Sequence, residues 1–311
     1  MPSETPAAAD LLPRASLAGP LGLVLPTFPQ LRPRPPTASE LADTCRAAEQ
    51  AGAGALWACD HLFWHTASVE CLSSVAVAVT ATERATVGPC VLQLPLRHAA
   101  AVAKQAASLH QLSGGRLVLG VGMGNHRGEY EAARVSYRDR GRRLDEGIGE
   151  LRRAWATGPG EGRYTLLPPA GGIPVWVGGS SESALRRAAR MADGWIPLFV
   201  PPDEYAAALE RLEKEAEGVG RDPTEIERAI VVFVSVGSSE THERGLAWMS
   251  SLYSIAPDAF RRHLIVGDAS SAARSVLRYE EAGAQHVAVF VTDDDPLAQF
   301  EDLAGELAEL R

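Results

Sequence analysis

Eight short apolar runs are spaced along this chain, and none of them alternates apolar with polar residues. They cover residues 21–25, 54–59, 86–92, 117–121, 173–178, 195–199, 229–236 and 286–291. A strand that reads this way is covered on both faces, which is the condition of a strand inside a parallel sheet. Segments of helical spacing separate the runs. One starts near Thr37 or Ser39 and ends at Gly52, and others span residues 69–82, 98–112, 140–156, 203–218 and 296–310. Eight strands alternating with helices give a (β/α)8 TIM barrel, with a doubly wound open sheet as the alternative. Residues 238–283 exceed what one crossover helix needs, so we read an insertion between strand 7 and strand 8.

A chain of 311 residues buries about 75% of its unfolded surface, enough for one large domain. We read residues 1–19 as a flexible tail and residues 20–311 as a single barrel. A net charge of −9 argues against a nucleic-acid or anionic-membrane partner. No apolar run approaches the roughly 20 residues of a membrane helix. Cys45, Cys59, Cys71 and Cys90 form no CxxC pair, so a disulfide framework or zinc site is not expected and a reducing cytoplasm is the simpler setting.

In a barrel, sites form at the carboxyl ends of the strands. Asp60 and His61 follow the second strand there, and a histidine can move a proton near neutrality. The alternative is that Asp60 caps a turn and His61 packs. Trp64 could wall a planar ligand or belong to the core. The fourth strand ends in Gly120, Gly122, Met123, Gly124 and Asn125, where side chains are missing at every second position, so a flat ring or a phosphate could approach the backbone. The fifth ends in Gly178, Gly179, Ser180 and Ser181, and a helix follows. Its free amides suit a phosphate, although an ordinary serine cap explains the same residues. His126 and His263 lie near the mouth as candidate substrate contacts. A metal-dependent hydrolase would need more histidine and aspartate ligands at strand ends than the chain offers. No dinucleotide fingerprint or nucleophile elbow is present.

The segments VGPCVLQLPLRHAAAVAKQAASLHQLSGGRLVLGVGMG, RGRRLDEGIGELRRAW, LWACDHLFW and IPVWVGGSSESALRRAARMADGW resemble the bacterial luciferase-like monooxygenase superfamily, in particular its coenzyme F420-dependent branch. The resemblance implies a flavin or deazaflavin at the carboxyl ends of the strands. It implies a non-proline cis peptide at Cys90-Val91 behind the ring, and a phosphate loop at Gly178, Gly179 and Ser180. It also implies a proton-handling role for His61. Sugar-phosphate dehydrogenases of this superfamily carry a glutamate directly after the GVGxG turn, where this chain has Asn125, a departure that counts against that activity.

The expected function is hydride transfer between F420 and a small organic substrate, with His61 assisting the proton step. An FMN-dependent monooxygenase using reduced flavin and O2 is the alternative, and a non-catalytic flavin- or deazaflavin-binding protein is a second. Barrels of this superfamily often pair, and the apolar helix face at Ala76, Val77 and Val79 is the candidate surface for a homodimer.

Overall fold

The structure is a computed structural model that describes residues 12, 14–28, 34–156, 166, 168, 170–293 and 295–311. The proline-rich stretch 29–33 and the first eleven residues of the expected tail lie outside the described residues.

Ten strands are described: β1 (Leu21–Val24), β2 (Ala55–Ala58), β3 (Thr86–Pro89), β4 (Leu92–Gln93), β5 (Leu119–Gly122), β6 (Val175–Gly178), β7 (Gly194–Ile196), β8 (Glu227–Val236), β9 (Leu264–Gly267) and β10 (His286–Val291). The helices are α1 (Ala38–Gln50), α2 (Cys71–Ala81), α3 (Ala99–Leu112), α4 (Arg127–Ala132), α5 (Arg140–Ala156), α6 (Glu182–Met191), α7 (Pro202–Gly218), α8 (Ser239–Tyr253), α9 (Ala269–Glu281) and α10 (Pro296–Leu310). The sheet order is β3-β2-β1-β10-β8-β7-β6-β5-β4, and β9 pairs with β8 off this path. Strands β3 and β4 are two halves of one barrel strand, interrupted at the cis peptide Cys90-Val91. The ring closes where Val87 bridges Leu117 in parallel. Counting the two halves as one and setting β9 aside leaves the eight strands of the TIM barrel.

Strand β9 belongs to the insertion read between the seventh and eighth barrel strands. It pairs with the upper half of β8, from Phe233 to Val236. Strand β7 has left β8 by then, after the Leu198–Val231 bridge.

Because successive strand residues face opposite sides, the apolar runs supply two cores. Leu23, Leu56, Val87, Leu119, Val177 and Val289 pack outward against the helices. Val24, Trp57, Val118, Trp176, Phe233 and Phe290 fill the barrel interior. Its base is built around Trp57, Trp176 and His286. The tryptophan rings lie 5.4 Å apart, and Trp57 Nε1 donates to His286 Nε2 at 2.9 Å. Glycine makes the room: a Cβ on Gly194 would sit 2.5 Å from Trp176.

The described part of the expected tail lies against this base. Gly19 accepts from His286 Nδ1 at 3.1 Å, and Ser16 accepts from the Thr86 hydroxyl at 3.1 Å. The α2 face considered for pairing is engaged within the chain. Val79 is buried, and Ala76 and Val77 are half-buried against the outer core.

Candidate active site

At the carboxyl end of the barrel the interior core finishes in a rim of half-buried residues: Cys59, Trp64, Cys90, Val91, Leu198, Phe199 and Tyr253. His61 stands on this rim, in the loop after β2. Its Nδ1 lies 2.9 Å from Glu129 Oε2, and the Glu129 side chain is fully buried. The other carboxylate oxygen accepts the backbone amides of Leu62 at 2.8 Å and Phe63 at 3.2 Å. Gln93 Nε2 donates to Glu129 Oε2 at 3.1 Å.

Burial by itself raises the Glu129 carboxyl. The hydrogen bond and charge of His61, followed by Gln93 and the Phe63 amide, outweigh it and hold the group below its ordinary range. An ionised Glu129 accepts the proton on Nδ1 and thereby fixes the His61 tautomer. In the neutral imidazole Nε2 then carries the lone pair, and no described protein group hydrogen-bonds it. Trp64 stacks on the imidazole, with centroids 3.9 Å apart and planes 23° apart. His126 meets the edge of Trp64 at 4.8 Å.

Glu129 carried no role in the sequence reading, which looked for a glutamate at the position of Asn125. The carboxylate comes instead from four residues further on, in α4, which folds back over the β2 loop. Gln93 was missed as well. Nothing local marks either one, since Gln93 and Glu129 are 32 and 68 residues from His61.

Asp60 has both side-chain oxygens engaged within the chain. Its oxygens take a two-pronged contact from Arg97, at 2.6 and 2.7 Å, and the Gln93 amide at 2.7 Å. It ties the end of β2 to the turn after β4, so the shape of the mouth depends on it.

The glycines also need correcting. A Cβ on Gly122 or Gly178 would lie 2.4 or 2.8 Å from the methyls of Val91, and one on Gly124 would lie 2.4 Å from Gln93 Oε1. The missing side chains therefore admit the chain's own Val91 and Gln93, and a ring could rest on Val91 rather than on glycine backbone. Met123 packs into the outer core and offers only its carbonyl, to the Tyr130 hydroxyl. Asn125 is exposed, and its carbonyl accepts from Tyr137 at 3.1 Å. Cys90 remains on the rim beside Cys59. Burial pushes the Cys59 thiol up to about 12 and raises the Cys90 thiol well above its ordinary value, so both are protonated at neutral pH.

The GGSS stretch joins β6 to α6. Gly179 has a φ of +114°, which glycine adopts without the usual steric cost. Ser181 caps α6, accepting from the Ala184 amide at 3.3 Å. Helix geometry leaves the Glu182 and Ser183 amides without a helical partner, and Ser180 and Ser181 are exposed. His263 packs edge-on against Phe199 at 5.5 Å, and burial lowers its pKa. Loop and insertion meet across the mouth where His65 Nε2 donates to the Ser251 carbonyl at 3.1 Å.

This donor set fits a flavin-like group. The amides at the start of α6 suit a phosphate. Trp64 Nε1 is buried with no partner among the described residues and could meet a ring carbonyl. Val91 supplies an apolar floor. Among the described residues, no group of three histidine, cysteine or carboxylate side chains could hold a metal. No described helix is long and apolar enough to cross a membrane.

The chain belongs to the luciferase-like monooxygenase family, whose model matches residues 20–253. An uncharacterized protein of Mycobacterium tuberculosis is 42% identical over 147 residues, 44% of this chain and 50% of that protein. A phthiodiolone/phenolphthiodiolone dimycocerosates ketoreductase of the same organism is 31% identical over 199 residues, 58% of this chain and 52% of that protein. The chain thus spans about half the length of the curated relatives it matches. Among solved structures, an F420-dependent secondary alcohol dehydrogenase in complex with an F420-acetone adduct superposes with a TM-score of 0.79 at 18% identity, covering 93% of this chain and 99% of that one. The oxygenating constituent of the FMN-bound 3,6-diketocamphane monooxygenase of Pseudomonas putida gives 0.71 at 17% identity, covering 94% and 98%. At these identities the likeness is one of fold, and it includes both F420 and FMN enzymes.

Proposed function

We propose that this luciferase-like oxidoreductase uses F420 to interconvert a small ketone and its alcohol. The observation that carries this reading is His61, with Nδ1 held by a buried carboxylate and Nε2 without a partner among the described residues. Carbonyl reduction needs a proton delivered to oxygen as hydride reaches carbon, and a fixed imidazole is suited to that task. The ketoreductase among the relatives supports a carbonyl as the reacting group. The deazaflavin, when bound, supplies or accepts the hydride.

The chain's own groups would do the rest. The amides of Ser180 and Ser181 and their hydroxyls would anchor the phosphate, and Val91 would back the ring. In alcohol oxidation His61 Nε2 takes the hydroxyl proton, and in ketone reduction it returns one. Positive charge on the imidazole is balanced 2.9 Å away by Glu129, which is worth more beside a buried carboxylate than in water. Trp64 covers one face of the imidazole and limits its rotation.

Titration of the purified protein with F420 and with FMN, followed by fluorescence, tests this reading. Saturable F420 binding is expected. Tight FMN binding with no response to F420 would overturn it in favour of the flavin monooxygenase.

A further inference from the structure

Of the seven rim residues at the barrel mouth, Tyr253 alone carries a side-chain oxygen. It comes from the insertion rather than from a barrel strand, as the last residue of α8. Ser254 stops the helix directly after it, in the left-handed region at φ +55°. The carbonyl of Ser251, two residues earlier, accepts from His65 Nε2 at 3.1 Å. That bond ties the end of α8 to the loop that carries His61.

The Tyr253 ring is held by other rings. Phe199 meets it edge-on at 5.3 Å, Phe233 edge-on at 6.3 Å, and Phe260 at a tilt at 5.6 Å. Such pairs fix the orientation of an aromatic side chain, and an enclosed tyrosine hydroxyl normally finds a hydrogen-bond partner. This one has none among the described residues. It is also not sealed off as the Trp64 indole N–H is, for Tyr253 is only half-buried. Burial, with Cys59 and Cys90 beside it, pushes the ionisation of the phenol up, so it stays a proton-bearing donor at working pH. Cys59 lies two residues before His61, and Cys90 immediately precedes Val91. The hydroxyl therefore lies near both the start of the His61 loop and the apolar floor.

We propose that the Tyr253 hydroxyl donates a hydrogen bond to the carbonyl oxygen of the substrate, as a second donor beside His61. The assignment rests on the carbonyl-reduction reading above and deepens it. As the carbonyl carbon accepts hydride, its oxygen gains negative charge. A fixed donor in a dry site stabilises that charge without having to reorganise. The proton that completes the alcohol comes from His61, and Tyr253 keeps its own. In the reverse direction the same hydroxyl holds the alcohol oxygen while His61 takes its proton.

The test is anaerobic oxidation of reduced F420 by acetone, cyclohexanone or acetophenone, comparing wild type with Tyr253→Phe. The substitution keeps the ring and its aromatic contacts, and an unchanged thermal midpoint establishes that the variant folds. With the best of the three ketones, kcat/KM is expected to fall about a hundredfold. F420 affinity should be unchanged, and so should the shape of the pH profile, because the phenol does not titrate in the working range. A variant that merely disturbed the His61–Glu129 pair would change that shape. Equal kcat/KM in the two proteins would overturn the assignment while leaving the carbonyl-reduction reading intact. A loss accompanied by an altered pH profile or weaker F420 binding would also overturn it, in favour of a packing role. Failure of the wild type to turn over any of the three ketones would overturn both.

Discussion

Two histidines look into the same barrel from opposite ends, and their surroundings differ in kind. His286, at the base, is fully buried between Trp57 and Gly19, with both ring nitrogens committed. Burial pushes its pKa down to about 4, only partly opposed by the Gly19 carbonyl. It is a neutral packing piece that satisfies an indole N–H in an apolar core. His61, at the mouth, has one nitrogen committed to a buried carboxylate and the other free. A barrel of this type can hold polar groups at either end; of these two histidines, only the one at the mouth keeps a ring nitrogen without a partner among the described residues.

The sharpest way to break this contrast is to remove each imidazole in turn. His61→Gln should lower kcat by roughly 10²–10⁴-fold and leave F420 affinity unchanged, as read by steady-state kinetics and titration. Glu129→Gln keeps a hydrogen-bond partner but removes the charge, and should lower kcat by about 10–100-fold. His286→Phe should leave the turnover of folded molecules untouched, so a loss of kcat there would erase the distinction between base and mouth.

The base has its own signature in the pH dependence of stability. Native His286 stays neutral while the unfolded residue protonates below its ordinary pKa of about 6.5. The unfolded state therefore binds more protons between pH 6.5 and 4, and stability falls as the pH drops through that window. The loss is on the order of 3 kcal/mol, complete near the native pKa. His286→Phe should flatten that part of the curve in denaturant titrations. At pH 7 it should cost about 1–3 kcal/mol, because Trp57 Nε1 and the Gly19 carbonyl lose their partner.

The smallest expected effect concerns the floor of the mouth. Gly122→Ala should destabilise the protein by about 1–3 kcal/mol through its clash with Val91. Val91→Ala in the same chain should recover part of that loss by making room. If the two changes are simply additive in thermal melts, the glycine and the valine are not packed as described.

The barrel could be read from the chain because its strands are covered on both faces, so they appear as apolar runs such as residues 287–291. The glycines at 120, 122 and 178 were equally visible, but a missing side chain says only that something needs the space. That the occupant is Val91 at Gly122 and Gly178, and the Pro89 carbonyl at Gly120, depends on how the two halves of the third strand approach β5 and β6. Asp60 was misjudged for a related reason: its position at a strand end suggests chemistry, while Arg97, 37 residues later, takes both oxygens. Glu129 lies in α4, whose path over the β2 turn is set by tertiary packing, including the Tyr130 contact to Met123. The GGSS stretch was legible because a strand end, two glycines and a helix cap are all local.

Anaerobic turnover of reduced F420 with a small ketone tests the central claim most directly, with wild type and His61→Gln compared at saturating cofactor. The account predicts ketone-dependent oxidation of the deazaflavin by the wild type, and a loss of at least about a hundredfold in the variant with cofactor still bound. Equal rates in the two proteins would contradict it.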